Sequence, residues 1–393
     1  MKSSKSTKGG GRPAGIGFGP GFDAARYGLV PPPPQRGGRR NAGSAGDPDG
    51  ASTPPKPAAS SSPAKTRRYI QLTFVAVFLY AGWEFYRYYL WATGASPDFH
   101  PRPPAAEAFL PISALVGLKR LFIGNGFDPV HPAGLTIFIA ALVIAFLARK
   151  SFCGYLCPVG WFCGQIDRLG ARLLNPLGIS RRPGKIVSML ISLPKYLLLG
   201  LLLWSILVGM NPQAVEGFLF SSYNKIADSK MLLFFLEPSF NTLVALGVLL
   251  LGSFLVQGFW CRGFCPYGAL LGLFSWLSPL AVWRDKQKCT YCRRCLRACP
   301  ARIPVHEARR VSSPECQGCL ECVSACPEPD CLTVRAGYGN KAARVSNRFI
   351  PLLCLALLLL FIAGAKATDH WQSKVPPMEL KMYHHSLRAV GHP

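Results

Sequence analysis

Residues 289–300 read CTYCRRCLRACP, and residues 316–327 read CQGCLECVSACP. Each is Cys-x2-Cys-x2-Cys-x3-Cys-Pro. Gaps of two residues let a tightly turning loop aim three thiolates at three corners of one cube, while the fourth cysteine, on the helix that follows, reaches across to a second cube. This spacing assigns Cys289, Cys292, Cys295 and Cys326 to one [4Fe-4S] cluster and Cys316, Cys319, Cys322 and Cys299 to another. Pro300 and Pro327 end the two sets and turn the chain away. The competing reading is a pair of four-cysteine zinc sites, but structural zinc ordinarily draws on two Cys-x2-Cys pairs rather than on four cysteines in this order.

The surroundings of these motifs are apolar. The chain has 393 residues, 50% of them hydrophobic and 16% charged. Apolar residues are bunched into runs near the roughly 20 residues that a bilayer core demands. The runs lie at about 69–92, 134–148, 186–209, 242–260 and 349–365. A net charge of +25 suggests nucleic acid at first sight. The basic residues, however, sit in the N-terminal tail and beside the apolar runs, where positive charge marks the cytoplasmic side of a membrane protein. Arg149, Lys150, Arg168, Arg172, Arg181, Arg182 and Lys185 fall in one loop, and 14 more Lys and Arg lie from Arg262 to Arg348. The segments 93–133 and 210–241 hold only Arg102, Lys119, Arg120, Lys225 and Lys230. The sequence thus predicts a tail and a cysteine-rich region inside and a C-terminus outside. No secretory signal is visible, because the N-terminus is polar and rich in Gly, Pro and Ser.

Two further cysteine pairs stand at the feet of apolar runs. SFCGYLCPVG spans residues 151–160 and WCRGFCPYGA spans residues 260–269. Each carries Cys-x3-Cys-Pro-x-Gly, and the stretches that follow align without gaps, which predicts two related hairpins packed in parallel with their cysteine ends together. Three readings stand for Cys153, Cys157, Cys261 and Cys265. They form a third metal or Fe–S site of four soft ligands, they are redox-active thiols, or they are inert thiols at helix ends.

The paired motifs followed by two ferredoxin sets resemble the NapH/MauN/NosR-type membrane polyferredoxins over roughly residues 66–370. That resemblance implies four to six helices, two cytoplasmic [4Fe-4S] clusters, and electron movement between the quinone pool or cytoplasm and a periplasmic oxidoreductase. The chain departs from the NosR branch, since no large flavin-binding domain precedes its first apolar run. It departs from the related CcoG/FixG type, linked to copper reduction, since only about 28 residues follow the last run. Neither pathway transfers.

Other residues carry weaker signals. Trp83, Tyr86, Tyr88, Tyr89 and Trp91 read as an interfacial aromatic belt. Lys195 lies within an apolar run, either as a functional ionisable group or snorkelling to the interface. Glu84 and Arg87 read as an ion pair. Cys354 reads as core packing or lipid-facing, Cys331 as a spare thiol, and Cys163 as outside the cysteine set because Leu271 is its repeat partner. His100, His131, His370, His384, His385 and His392 fall outside and read as solvated. Arg293, Arg294, Arg297 and Arg302 lie among the cluster ligands, either tuning them or docking a partner. Residues 267–283 read as interfacial or re-entrant.

The expected architecture is mainly α, a polytopic membrane helical bundle of about five spans with a small α+β two-cluster ferredoxin domain. The expected divisions are a basic disordered tail at 1–66, a membrane domain at 67–283, a ferredoxin-like domain at 284–340, a last span at 341–366 and a short periplasmic tail at 367–393. The expected location is a bacterial inner membrane. The expected work is electron relay between a cytoplasmic donor or the quinone pool and a membrane or periplasmic redox partner, as a subunit rather than a stand-alone catalyst. Lipid, redox proteins and quinone are the expected partners, and nucleic acid is not. The alternatives are a copper-reducing assembly factor and a sensor or scaffold with structural clusters.

Overall fold

The computed structural model describes residues 63–178, 181, 185–339, 342–385 and 387. The expected basic tail lies outside them, apart from residues 63–66, which begin the first helix.

The described chain is mostly helical. α1 (Pro63–Ala92), α2 (Pro111–Phe122), α3 (Pro132–Ala148), α4 (Pro158–Leu174), α5 (Lys185–Leu203) and α6 (Pro212–Leu219) come first. The short α7 (Ser222–Lys225) follows, then α8 (Ala227–Leu236), α9 (Phe240–Leu255) and α10 (Pro266–Trp276). α3 is apolar on every side and is surrounded by protein: twelve of its 17 residues are buried. A helix hydrophobic all round belongs inside a bundle. α2, α10 and a later helix, α13 (Phe349–Ala367), pack around it. Proline stands first in α2, α3, α4, α6 and α10, where its missing N–H costs nothing and its fixed φ suits a helix start.

Among the described residues, two helices are long and apolar enough to cross a membrane, Met189–Gly209 and Phe349–Ala367. α8 and α9 together make a third if a pair bent by 81° counts as one span. Length and apolarity alone thus identify two or three of the about five spans expected. α3 is short at 17 residues, and α1, although 30 residues long, carries Glu84 and Arg87, which pair at 3.7 Å. Residues 267–283 do not form one helix. α10 ends at Trp276, and β1 (Leu280–Arg284) begins a sheet.

That sheet is the frame of the cysteine-rich domain. After β1 come the single-turn helices α11 (Arg294–Ala298) and α12 (Glu321–Ser324), then β2 (Leu332–Ala336) and β3 (Ala343–Arg344). The strand order is β1-β2-β3, all antiparallel, with Val282 opposite Val334. The sheet therefore starts at Leu280, inside the expected membrane domain. α13 (Phe349–Ala367) then returns to pack on α3.

The far end of α1 is not a free aromatic belt. Trp83 and Tyr86 are exposed, but Tyr88 and Trp91 are buried with Ile226 and Leu380 in a separate apolar core. Leu380 belongs to α14 (Pro377–His385), so the expected tail is partly a docked helix. Two histidines expected in solvent are also buried. His131 contacts Arg102 at 2.8 Å and the Asn224 carbonyl at 2.7 Å, and His384 contacts Ser229 Oγ at 2.8 Å. These rings close buried polar networks, as burial requires of polar groups. His392 lies outside the described residues.

Candidate functional site

The two ferredoxin loops build two cavities, and each is lined by one of the two four-cysteine sets. Cys289, Cys292, Cys295 and Cys326 line one. Cys299, Cys316, Cys319 and Cys322 line the other. Three cysteines of each cavity come from one loop and the fourth from the other loop. Among the described residues, no three Cys, His, Asp or Glu side chains form a cage for a single metal ion. Four cysteines shared three to one between the two loops match the ligand pattern of a two-cluster ferredoxin rather than that of paired structural zinc sites.

Backbone strain marks the same loops. Tyr291 and Arg293 adopt φ of 55° and 58°, and their repeat partners Gly318 and Leu320 adopt 60° and 59°. Left-handed residues other than glycine cost of the order of 1–3 kcal/mol each. Alternating hands turn successive N–H groups toward one point and make a nest for an anion, a recurrent feature of Fe–S sites. The left-handed geometry recurs at matching positions of the two loops, as a pair of anion nests requires.

The second cavity leans on the membrane bundle. Lys150 N–H donates to the Cys316 carbonyl at 3.2 Å, and Tyr155 Oη donates to the Gly318 carbonyl at 3.3 Å. Gly154 permits this approach, since a Cβ there would lie 2.7 Å from the Gln317 carbonyl oxygen. Its own carbonyl accepts from Arg67 Nε at 3.0 Å and Gln71 Nε2 at 2.8 Å, and Arg67 pairs with Glu321 at 2.9 Å. The first cavity has a different setting, because its Cys292 is exposed.

Both Cys-x3-Cys-Pro motifs fold alike. Each first cysteine lies in a π-helical turn, Phe152–Leu156 or Trp260–Phe264. Each second cysteine is extended and precedes a helix whose first residue is Pro158 or Pro266. Gly268 N–H donates to Cys265 Sγ at 3.3 Å, so this thiol caps α10. The two turns bring Cys153, Cys157, Cys261 and Cys265 within electrostatic reach of one another. Burial pushes the Cys157 thiol up to about 12. A thiol so placed stays protonated at neutral pH unless a metal or an oxidant takes the proton. Cys163, expected outside the set, is within hydrogen-bond reach of Cys261.

Beside this set lies a buried ion network. Glu315 precedes a cysteine of the second cavity and receives Lys150 Nζ at 3.1 Å, Lys195 Nζ at 2.5 Å and Tyr196 Oη at 3.1 Å. Burial would raise the Glu315 carboxyl, yet the two ammonium groups hold it at about 2. Lys195 is fully buried, so it does not snorkel. Sequence reasoning missed Glu315, whose only signal was an acid among basic neighbours beside a cysteine set. It also missed Cys331, which is no spare thiol: it lines the first cavity. Cys354 is buried in the core.

Residues 281–327 match the family model of a 4Fe-4S dicluster domain, and residues 130–176 and 239–284 each match that of a 4Fe-4S binding domain. The two latter matches cover the two Cys-x3-Cys-Pro hairpins. The chain is 35% identical over 336 residues to the Escherichia coli protein YccM, named for electron transport, covering 83% of this chain and 91% of that one. It is 30% identical over 213 residues to the ferredoxin-type protein NapH of Haemophilus influenzae, covering 50% and 67%. It is 26% identical over 229 residues to NapH of Escherichia coli, covering 56% and 74%. No solved structure matches.

Proposed function

The chain belongs to the family of the NapH-type 4Fe-4S ferredoxin proteins, and from that premise we propose that it is a membrane-anchored relay for single electrons, holding two [4Fe-4S] clusters. Cys289, Cys292, Cys295 and Cys326 would ligate one, and Cys299, Cys316, Cys319 and Cys322 the other. A bound cluster supplies reversible one-electron exchange at low reorganisation cost. The protein contributes the rest. Its nests turn N–H groups onto the sulfurs, its apolar walls keep water from the second site, and the exposed Cys292 leaves the first open to a partner.

The observation that carries this reading is the seating of the second cavity on the first Cys-x3-Cys-Pro turn. Lys150, Gly154 and Tyr155 set the four-sulfur cavity against the turn that carries Cys153, at the foot of α3. An electron entering at the cytoplasmic surface would have a short path to the membrane. We read Cys153, Cys157, Cys261 and Cys265 as the next station, with membrane quinone or a periplasmic redox protein beyond. In this reading the helices α1, α3, α5, α8–α9 and α13 provide about five spans of a bacterial inner membrane, with the clusters inside and α14 outside, and the bundle lies in direct contact with lipid. A second reading, thiol chemistry at the same cysteines, is favoured by one observation, the approach of Cys163 to Cys261.

Metal analysis and EPR on anaerobically purified wild type and on a variant with Cys153, Cys157, Cys261 and Cys265 all changed to Ser test the proposal. The wild type should give two interacting [4Fe-4S] signals that reduce reversibly. Protein with full iron that accepts no electron at any accessible potential would sink the relay. Metal lost from the variant with both signals intact favours a third metal site, and unchanged metal favours thiols.

A further inference from the structure

The two cluster cavities are built unequally. The cavity of Cys299, Cys316, Cys319 and Cys322 is walled by Val282, Ile303, Val305, Val311 and Leu320. The cavity of Cys289, Cys292, Cys295 and Cys326 is walled in addition by Arg284, His306 and Cys331. These three side chains are almost wholly buried, at 5%, 6% and 2% exposure. Groups that can donate hydrogen bonds are rarely left idle when buried, yet here two atoms lack a partner, Arg284 Nη1 and His306 Nδ1. The remainder of Arg284 is fixed. Its Nε donates to the Ala308 carbonyl at 3.2 Å, its Nη2 to the Glu307 carbonyl at 3.3 Å, and its plane lies over Tyr291. The guanidinium thereby faces Cys289. The Cys331 thiol stands within hydrogen-bond reach of both Cys289 and Cys326 and otherwise has the Asp285 carbonyl at 3.8 Å.

Cationic residues flank the other cavity too, but they do not line it. Arg67 near Cys319 is engaged by Glu321 and the Gly154 carbonyl. Arg149 donates to the carbonyls of Ser275 and Val311 and also stands within hydrogen-bond reach of Cys316, and Ile303 N–H donates to Cys299 Sγ at 3.4 Å, so one guanidinium answers that cavity where Arg284, His306 and Cys331 together line the first. No fifth thiol stands there among the described residues that line it.

Reduction adds one negative charge to a cluster and its thiolates. Donors aimed at the sulfurs stabilise that charge more than they stabilise the oxidised form, and so raise the potential, while an apolar, dry wall lowers it. We propose that Cys331, His306 and Arg284 form a donor shell around the cluster of Cys289, Cys292, Cys295 and Cys326, and that this shell makes it the higher-potential member of the pair. The inference rests on the two-cluster reading above and deepens it. A single electron shared by the two clusters would then reside on the outer one, next to the exposed Cys292. The inner cluster, seated on the bundle, would be reduced only by the second electron. The surface site stores and the inner site discharges.

The test is an EPR-monitored redox titration of the full chain in detergent, prepared anaerobically, as wild type and as Cys331→Ala, Cys331→Ser and His306→Leu. The wild type should show two separate reduction steps with full iron content. Cys331→Ala and His306→Leu should each move the upper step down and leave the lower step in place. Cys331→Ser retains a donor and should move it less. Both steps unmoved, or both moved equally, with iron content full, would overturn the shell while leaving the two-cluster reading intact. Wild type lacking cluster iron would overturn both, and iron content separates these cases. Should Cys331→Ala fail to hold its cluster, the His306→Leu titration decides alone.

Discussion

Glu315 is one carboxylate answering two buried ammonium groups, at 3.1 Å from Lys150 and 2.5 Å from Lys195. Such a group contributes less by attraction than its removal costs. A buried pair replaced whole by apolar residues is often neutral, whereas removing one partner strands a charge and costs about 3–5 kcal/mol. Here the loss would strand two. Glu315→Gln should therefore lower the thermal midpoint of the purified protein strongly and disturb the loop that carries Cys316. The triple change Glu315→Leu, Lys150→Met and Lys195→Met should recover most of the loss. Thermal unfolding followed by circular dichroism compares the three proteins. A triple variant no more stable than Glu315→Gln would mean that the ions do more than satisfy each other, and would point to a role for Lys195 in the relay itself.

At the scale of the element, α10 decides the topology. It has 11 residues, so it is roughly 16 Å long at 1.5 Å per residue, against a hydrocarbon core of roughly 30 Å. It cannot carry the chain across. Its buried face, from Gly268 to Gly272, packs on α3 instead, and β1 starts four residues after it ends. In the proposed reading, in which α5 and the α8–α9 pair each cross once, the loop after α4 and the cluster domain share one side of the membrane. Epitope tags placed after Gly178 and after Gly339, both in open positions, should be equally protected from protease in intact spheroplasts and equally cleaved after lysis. One tag cleaved alone in intact spheroplasts would require a crossing between them. This element also shows where the sequence is legible. The run 267–283 looks continuous because apolarity is a local property, and a buried helix and a buried strand are both apolar. The cysteine sets were readable for the same reason, since ligand spacing is local. Lys195, His131 and Tyr88 were not. Each owes its burial to a partner distant in the chain: Glu315 for Lys195, Asn224 for His131 and α14 for Tyr88. No periodicity in their own neighbourhood records that.

Over the whole molecule, the crossing of the two cysteine sets joins the loops into one unit. Cys299 follows the first loop but lines the second cavity, and Cys326 follows the second loop but lines the first. α11 and α12, the single turns that carry these crossings, pack against each other. Each cluster would then fasten both halves of the domain, and the nests at Tyr291, Arg293, Gly318 and Leu320 would be held strained by ligation from both sides. The consequence is a pairing of phenotypes. Cys299→Ser and Cys322→Ser should abolish the same EPR signal, the one from the site seated on the bundle. Cys295→Ser and Cys326→Ser should abolish the other. Each single change should remove about half the iron, and the surviving signal should lose its splitting, because its magnetic neighbour is gone. If Cys299→Ser instead matched Cys295→Ser, each loop would be holding its own cluster. The bundle would then touch a cluster only through one loop, and loss of the outer cluster would leave the inner one anchored as before.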